Sequence, residues 1–236
     1  MSTTTPHMAI NSNTIIKALS IITCALIVIS IGGQLWKFTF GGDQAKMFIQ
    51  FFNLDHERNI PTFFSVFLLF FVALILAFIA RLNHVQKQPH SSKWIMLSCG
   101  FVFMAFDEAF QIHEKFIWPF RALLGENNLG IFYFAWVIPG LILILILALY
   151  FLKFLIDLPR IARTRFLIAA TLYIGGAIGF ELIGGYHVEQ YGEENLTYSI
   201  ITTIEESLEL SGLVFFIWAL LKYCEQHFKS VLFVFE

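Results

Sequence analysis

Asp107, Glu108, His113 and Glu114 fall inside WIMLSCGFVFMAFDEAFQIHEKFIWPF, a stretch otherwise apolar enough to cross a bilayer. Glu181 interrupts GGAIGFELIGG, and Glu205, Glu206 and Glu209 interrupt ITTIEESLELSGLVFFIWAL. An ionisable side chain at bilayer depth costs roughly 2.5–3.5 kcal/mol on insertion scales, so such residues mark functional sites by default. No Lys or Arg lies in the middle of these three stretches to balance the acids. Carboxylates crowded into a low-dielectric site without a cationic partner either keep their protons or recruit a bound cation.

Asp, Glu and His are ligands for zinc, iron and manganese, and oxygen-only sets suit calcium or magnesium. These residue types make Asp107, His113, Glu114, Glu181, Glu205 and Glu209 the candidate ligands of a divalent metal cation, with zinc, iron or manganese favoured. Glu108 and Glu206 are the candidate general acid and base beside it. A metal so held would polarise a substrate or activate a bound water. The spacing matches neither HExxH nor the paired ExxH of di-iron bundles. Asp55, His56 and Glu57 read as solvated loop residues, His187 as an ordinary residue near the surface, and Asn195-Leu196-Thr197 as a glycosylation sequon by its letters only.

The elements that must carry these residues are helices in a membrane. The chain has 236 residues, 58% hydrophobic and 14% charged, with a mean hydropathy of +0.74. A soluble domain is nearer half apolar and a quarter charged. No ten-residue alternation of a β-barrel appears. The fold class expected is therefore all-α, a polytopic membrane bundle. Six apolar runs approach the ~20 residues a span requires: Ile15–Leu35, Pro61–Leu82, Lys93–Trp118, Gly130–Leu152, Thr164–Tyr186 and Tyr198–Tyr223. Residues 1–13 are expected to be a disordered cytoplasmic head, residues 14–223 the transmembrane domain and residues 224–236 a cytoplasmic tail. The first run lacks a basic n-region and a clear A-x-A site, so it reads as a retained span rather than a signal peptide.

Basic residues set the orientation. Arg81, Lys87 and Lys93 cluster in one loop, and Lys153, Arg160, Arg163 and Arg165 in another, with Lys222 and Lys229 in the tail. The loop with Glu189, Glu193 and Glu194 has no basic residue. Both termini are thus expected in the cytoplasm, with a bacterial inner membrane as the location. Lys115 and Arg121 oppose this solution but are outnumbered. In that orientation all the candidate ligands fall in the outer half of the bilayer. At about 100° per helical residue, Asp107, Glu108, Gln111 and Glu114 share one stripe, with His113 on a flank of its own.

FDEAFQIHE (Phe106–Glu114) resembles IEESLELSG (Ile204–Gly212), which suggests a 3+3 inverted repeat. Gly175 and Gly179 form a GxxxG, a close-packing motif and a candidate homo-oligomer contact in the Gly-rich fifth span. Pro139-Gly140 suggests a kink. AKMFIQFFNL reads as an interfacial or re-entrant helix. Cys24, Cys99 and Cys224 form no metal or redox spacing and read as small packing residues.

Three function classes fit. The first is a metal-dependent membrane enzyme, a hydrolase or oxidoreductase, acting on a lipid or lipophilic substrate. The second is a proton-coupled cation transporter, which would need a polar path through Ser98, Cys99 and Thr171. The third is an assembly or pH-sensing protein. Membrane lipids are the expected partners, and no basic run, P-loop or dinucleotide fingerprint points to nucleic acid or nucleotide.

Overall fold

The computed structural model describes residues 11–125 and 128–228. Most of the head and tail assigned from sequence therefore lies outside the described residues. Asn11 accepts the backbone N–H groups of Asn13 and Thr14, so the first helix, α1 (Ser12–Phe40), begins inside the segment read as disordered. There follow α2 (Asp43–Phe52), α3 (Ile60–Val85), α4 (Ser91–Phe110), α5 (Ile117–Leu124), α6 (Val137–Asp157), α7 (Arg160–Ile174), a π-helical turn (Gly175–Phe180), α8 (Glu181–Tyr191) and α9 (Leu196–His227). The described residues are helical, with no strand among them.

Four helical stretches are long and apolar enough to cross a membrane: Ser12–Phe40, Ile60–Val85, Val137–Asp157 and Arg160–Tyr191. A fifth is available if α4 and the segment Glu114–Leu124, bent 71° from it, act as one. The chain is thus an all-helical membrane protein with four to five candidate spans. The 32-residue α9 lies in the middle, packed against α1, α3, α7 and α8. Its start and the end of α4 lie at one end of the bundle. At the other end Ser12 hydrogen-bonds Glu225, tying the start of α1 to the end of α9.

Between the two ends runs an apolar core. Leu210, Leu213, Ile217 and Leu220 of α9 are buried against Leu68, Leu69, Val72, Leu76 and Ile79 of α3. Phe101 stacks on Phe216, with ring centroids 5.4 Å apart. By contrast α6 is mostly exposed along its length, as befits a helix whose solvent is lipid tails.

Three local expectations change. Helix α4 stops at Phe110, because Gln111 adopts a left-handed conformation (φ 53°). The third apolar run is therefore broken, and the helical-wheel stripe ends with it. The matching segment in α9 continues unbroken through Gly212, so the two similar nonapeptides differ in backbone. Pro139 falls in the first turn of α6, where no backbone donor is needed, and makes no kink.

The glycines pack differently as well. A Cβ on Gly175 or Gly179 would meet nothing within 4 Å. Gly176 and Gly212 are the contact points instead. A Cβ on Gly176 would lie 2.7 Å from the Glu205 carbonyl oxygen, and one on Gly212 would lie 2.9 Å from the Tyr173 backbone nitrogen. These two notches let α7 and its π turn lie directly against α9. Cys24 and Cys99 are exposed rather than packed, and Cys224 is half-buried.

Asn195 caps α9. Its side-chain oxygen accepts the Tyr198 N–H at 2.9 Å, and its amide donates to the Gly192 carbonyl at 2.7 Å. The nitrogen that a glycan would occupy is therefore engaged in the fold. Asn195→Ala is expected to cost about 1 kcal/mol, the usual worth of an N-cap. Amide hydrogen exchange at Tyr198 should quicken; unchanged exchange would mean that the cap contributes nothing.

Candidate functional site

The turn after α4 is built by Asp107. Its backbone carbonyl accepts the N–H groups of Gln111 and Ile112. Its carboxylate folds back onto the chain: Oδ1 accepts the His113 N–H at 2.8 Å, and Oδ2 meets His113 Nδ1 at 2.9 Å. His113 is thereby drawn from the flank predicted by a continuous helix onto Asp107 itself. Its ring packs against Trp136 with centroids 4.7 Å apart. Trp136 Nε1 in turn donates to Glu181 Oε1 at 2.7 Å. Glu181 is the first residue after the π turn, and such turns often re-aim a functional side chain.

From Glu181 the contacts pass to α9. The Glu181 and Glu205 carboxyls are within hydrogen-bonding reach of each other, and such a contact requires a shared proton. Glu209 reaches the Tyr173 hydroxyl on α7. Glu108 reaches Ser65 on α3. Glu206 lies in the electrostatic reach of Glu209, Glu108, Asp55 and Glu57. Glu114 is exposed at the rim, and its charge is felt by Glu57, Glu108 and Glu181.

The candidate ligands Asp107, His113, Glu114, Glu181, Glu205 and Glu209 are thus gathered at one end of the bundle, with Glu108 and Glu206 among them. They meet mainly in pairs. Among the described residues no three His, Cys, Asp or Glu side chains close around one point as metal ligands do. Of the ion pairs among those residues, only Asp107–His113 belongs to this cluster. Lys37 stands close enough to Asp55 to be felt there, and Arg58 reaches Gln111 at 3.4 Å.

Two acids join the cluster from the loop between α2 and α3, which the sequence reading assigned to solvent. The loop is held by Asn53. Its side-chain oxygen accepts the Gln34 amide at 2.7 Å, and its backbone carbonyl accepts the Asn59 amide at 2.6 Å. Asn59 also caps α3 through the Thr62 N–H. Glu57 is half-buried, and its Oε2 is buried without a hydrogen-bond partner. Burial first, then Glu108 and Glu114, push its carboxyl up to about 7. Asp55 keeps solvent contact. Burial there, then Glu181, Glu193 and Glu114, push it up to about 6. Burial and then Lys37 lower the His56 imidazole below its ordinary value.

The sign of the resulting pH dependence follows directly. Both acids hold protons more tightly in the folded chain than in the unfolded one. Between their ordinary values and about pH 7 the folded state therefore binds more protons, and stability falls as pH rises through that window. Glu57→Gln removes the larger part of this loss. A thermal melt in detergent should show a gain of about 2–4 °C at pH 8, the equivalent of about 1 kcal/mol, and little change at pH 4. An equal gain at both pH values would separate Glu57 from the effect.

His187 lies elsewhere. Its Nε2 meets Asn195 Oδ1 at 2.8 Å, in the α8–α9 connection. Glu189 is a structural acid, accepting the Leu129 N–H at 2.8 Å and the Gly130 N–H. Trp136 and Tyr173 were not legible as site residues, since nothing in their own segments distinguishes them from the other aromatics of an apolar run.

The polar path from Glu209 toward the far end has no continuation in the residues expected to supply one. Ser98 is buried and donates to the Ala73 carbonyl at 2.8 Å. Cys99 and Thr171 are exposed on the outside of the bundle. The acid cluster therefore rests on an apolar floor.

Fold and site together define a multi-helix membrane protein with acids concentrated at one end. Residues 19–224 match the family described as Domain of unknown function (DUF8692), and the chain belongs to that family. Neither the curated proteins nor the solved structures contain a match to it.

Proposed function

We propose that this protein binds a divalent cation in its acidic end and acts there as a metal-dependent enzyme on a lipid or another lipophilic substrate. The observation that carries this reading is the gathering of acids from α4, α8, α9 and the α2–α3 loop, with one ion-paired histidine and an apolar floor. A cation supplies the charge that no ion pair to Lys or Arg provides to these acids among the described residues. Asp107, His113, Glu114, Glu181, Glu205 and Glu209 form the donor pool. Loading requires the Glu181–Glu205 contact to open, so that protons leave as the metal enters. Glu108 and Glu206 then stand beside the metal as acid and base. A site reached from one end suits an enzyme, which needs a single entrance. Transport by the same carboxylates would need a second route past Leu213 and Ile217.

This reading takes α9 as a sixth crossing and places both termini in the cytoplasm of a bacterial inner membrane, with the acidic end outward. A 3+3 arrangement would make Asp107–Glu108 and Glu205–Glu206 equivalent pairs. Elemental analysis of gently purified protein tests the central claim. About one zinc, iron or manganese per chain is expected, and metal-free wild-type protein would remove the metal-enzyme reading. A cysteine at the buried Ser98 that reacts with an impermeant thiol reagent from the cytoplasm would favour transport instead.

A further inference from the structure

The opposite end of the bundle holds a cavity of about 280 Å³ between the ends of α3, α6 and α9. Asn83, His90, Trp94, Asp157, Tyr223 and His227 line it. It shares no residue with the acid cluster.

We propose that this cavity receives a neutral planar ring carrying hydroxyl groups, the head of a membrane quinol being the chemical class that fits. Charge comes first. None of the described residues lining the cavity is Lys or Arg, and its one carboxylate, Asp157, is closed by His90 Nε2 at 2.8 Å. An ionised ligand would lose its hydration without gaining a partner. Shape comes second. The walls are ring faces and edges: Trp94 and Tyr223 lie 5.1 Å apart at 40°, and His227 stacks on Tyr223 at 4.0 Å and 19°. Flat apolar rings with polar edges pack well in such a space.

Hydrogen bonding selects among flat rings. His227 Nδ1 faces the Tyr223 carbonyl at 2.9 Å, and a carbonyl only accepts. That nitrogen therefore carries the proton, and neutral His227 has Nε2 left as an acceptor. Neutral His90, donating through Nε2 to Asp157, likewise keeps Nδ1 as an acceptor. Two imidazole acceptors match ring hydroxyls. The cavity lies where the candidate spans Ile60–Val85 and Val137–Asp157 end, at the height where a ring on an apolar tail leaves the hydrocarbon.

The test uses the full chain purified in detergent and a decyl-substituted benzoquinol as probe, with binding read by saturation-transfer NMR. Saturable binding is expected, weakened about tenfold by His227→Leu and by His90→Leu, one hydrogen bond each. Gly175→Ala, whose added methyl meets nothing within 4 Å, should leave it unchanged. A photoreactive azidobenzoquinol should label wild-type peptides containing residues 83–94, 154–159 or 223–228, which needs no variant to fold. No saturable binding, wild-type affinity in both histidine variants, labelling confined to segments that do not line the cavity, or a preference for adenine over the quinol would each overturn the assignment.

Discussion

Protein carrying Glu205→Gln together with Asp107→Asn is expected to retain less than about a tenth of the divalent metal bound by the wild type under identical purification. Each substitution keeps the shape of its side chain and removes its charge. Even outer-shell changes around a metal cost about 10–100-fold in affinity, and loss of two charged donors should exceed that. The two residues act in different ways. Glu205 forms part of the Glu181–Glu205 pair, whose proton must leave for a cation to enter. Asp107 holds His113 through two contacts of 2.8 and 2.9 Å, so Asp107→Asn also loosens the ring that packs on Trp136. Unaltered metal content in the double variant, with wild-type protein fully loaded, would show that the metal lies outside this cluster. Each single variant should lose less than the pair, and the order of loss would rank the donors.

Gly176→Ala is the second change with a large expected effect, because it acts on the floor plan rather than on a ligand. The added methyl would lie 2.7 Å from the Glu205 carbonyl oxygen and 2.9 Å from Glu209 Cγ. The first of these is backbone and cannot swing aside. Overpacking of this kind costs about 1–3 kcal/mol, or roughly 2–4 °C of melting temperature per kcal/mol for a chain of this size. Gly175→Ala, one residue earlier, meets nothing within 4 Å and should be neutral or gain from the higher helix propensity of alanine. The contrast is the measurement: parallel melts in one detergent. Equal tolerance at 175 and 176 would contradict the close approach of the π turn to α9. Because Glu205 and Glu209 flank the notch, Gly176→Ala should also weaken metal binding while leaving every candidate ligand in place.

The membrane character of the chain was legible because burial in lipid demands apolar runs, and few other folds produce them. The acids stood out for the same reason, as expensive exceptions in those runs. What composition could not reveal was backbone irregularity. Gln111 ends α4 without a proline or glycine to signal it, and the ending moves His113 from a separate flank onto Asp107. Gly175 and Gly179 have the familiar small-residue spacing, yet the π turn brings the neighbouring Gly176 to the interface. A strict 3.6-residue period cannot anticipate that shift. Asp55 and Glu57 were hidden because loops are polar by default, and only the Asn53 network, assembled from α1, the loop and α3, turns them toward the site. Tyr173 and Trp136 sit among other apolar and aromatic residues within their runs, and their polar atoms matter only through what stands opposite them.

The apolar floor beneath Glu209 has an electrical consequence. With half-exposed acids above it and Leu213, Ile217 and Leu220 buried below, the low-dielectric layer that separates the two aqueous phases is thinnest of charge there, and most of the membrane voltage must drop across it. An elementary charge moved through the whole drop exchanges about 2.3 kcal/mol per 100 mV. A cation that stops at the acids crosses only a small part of the field, so its occupancy should scarcely respond to polarisation of the host membrane.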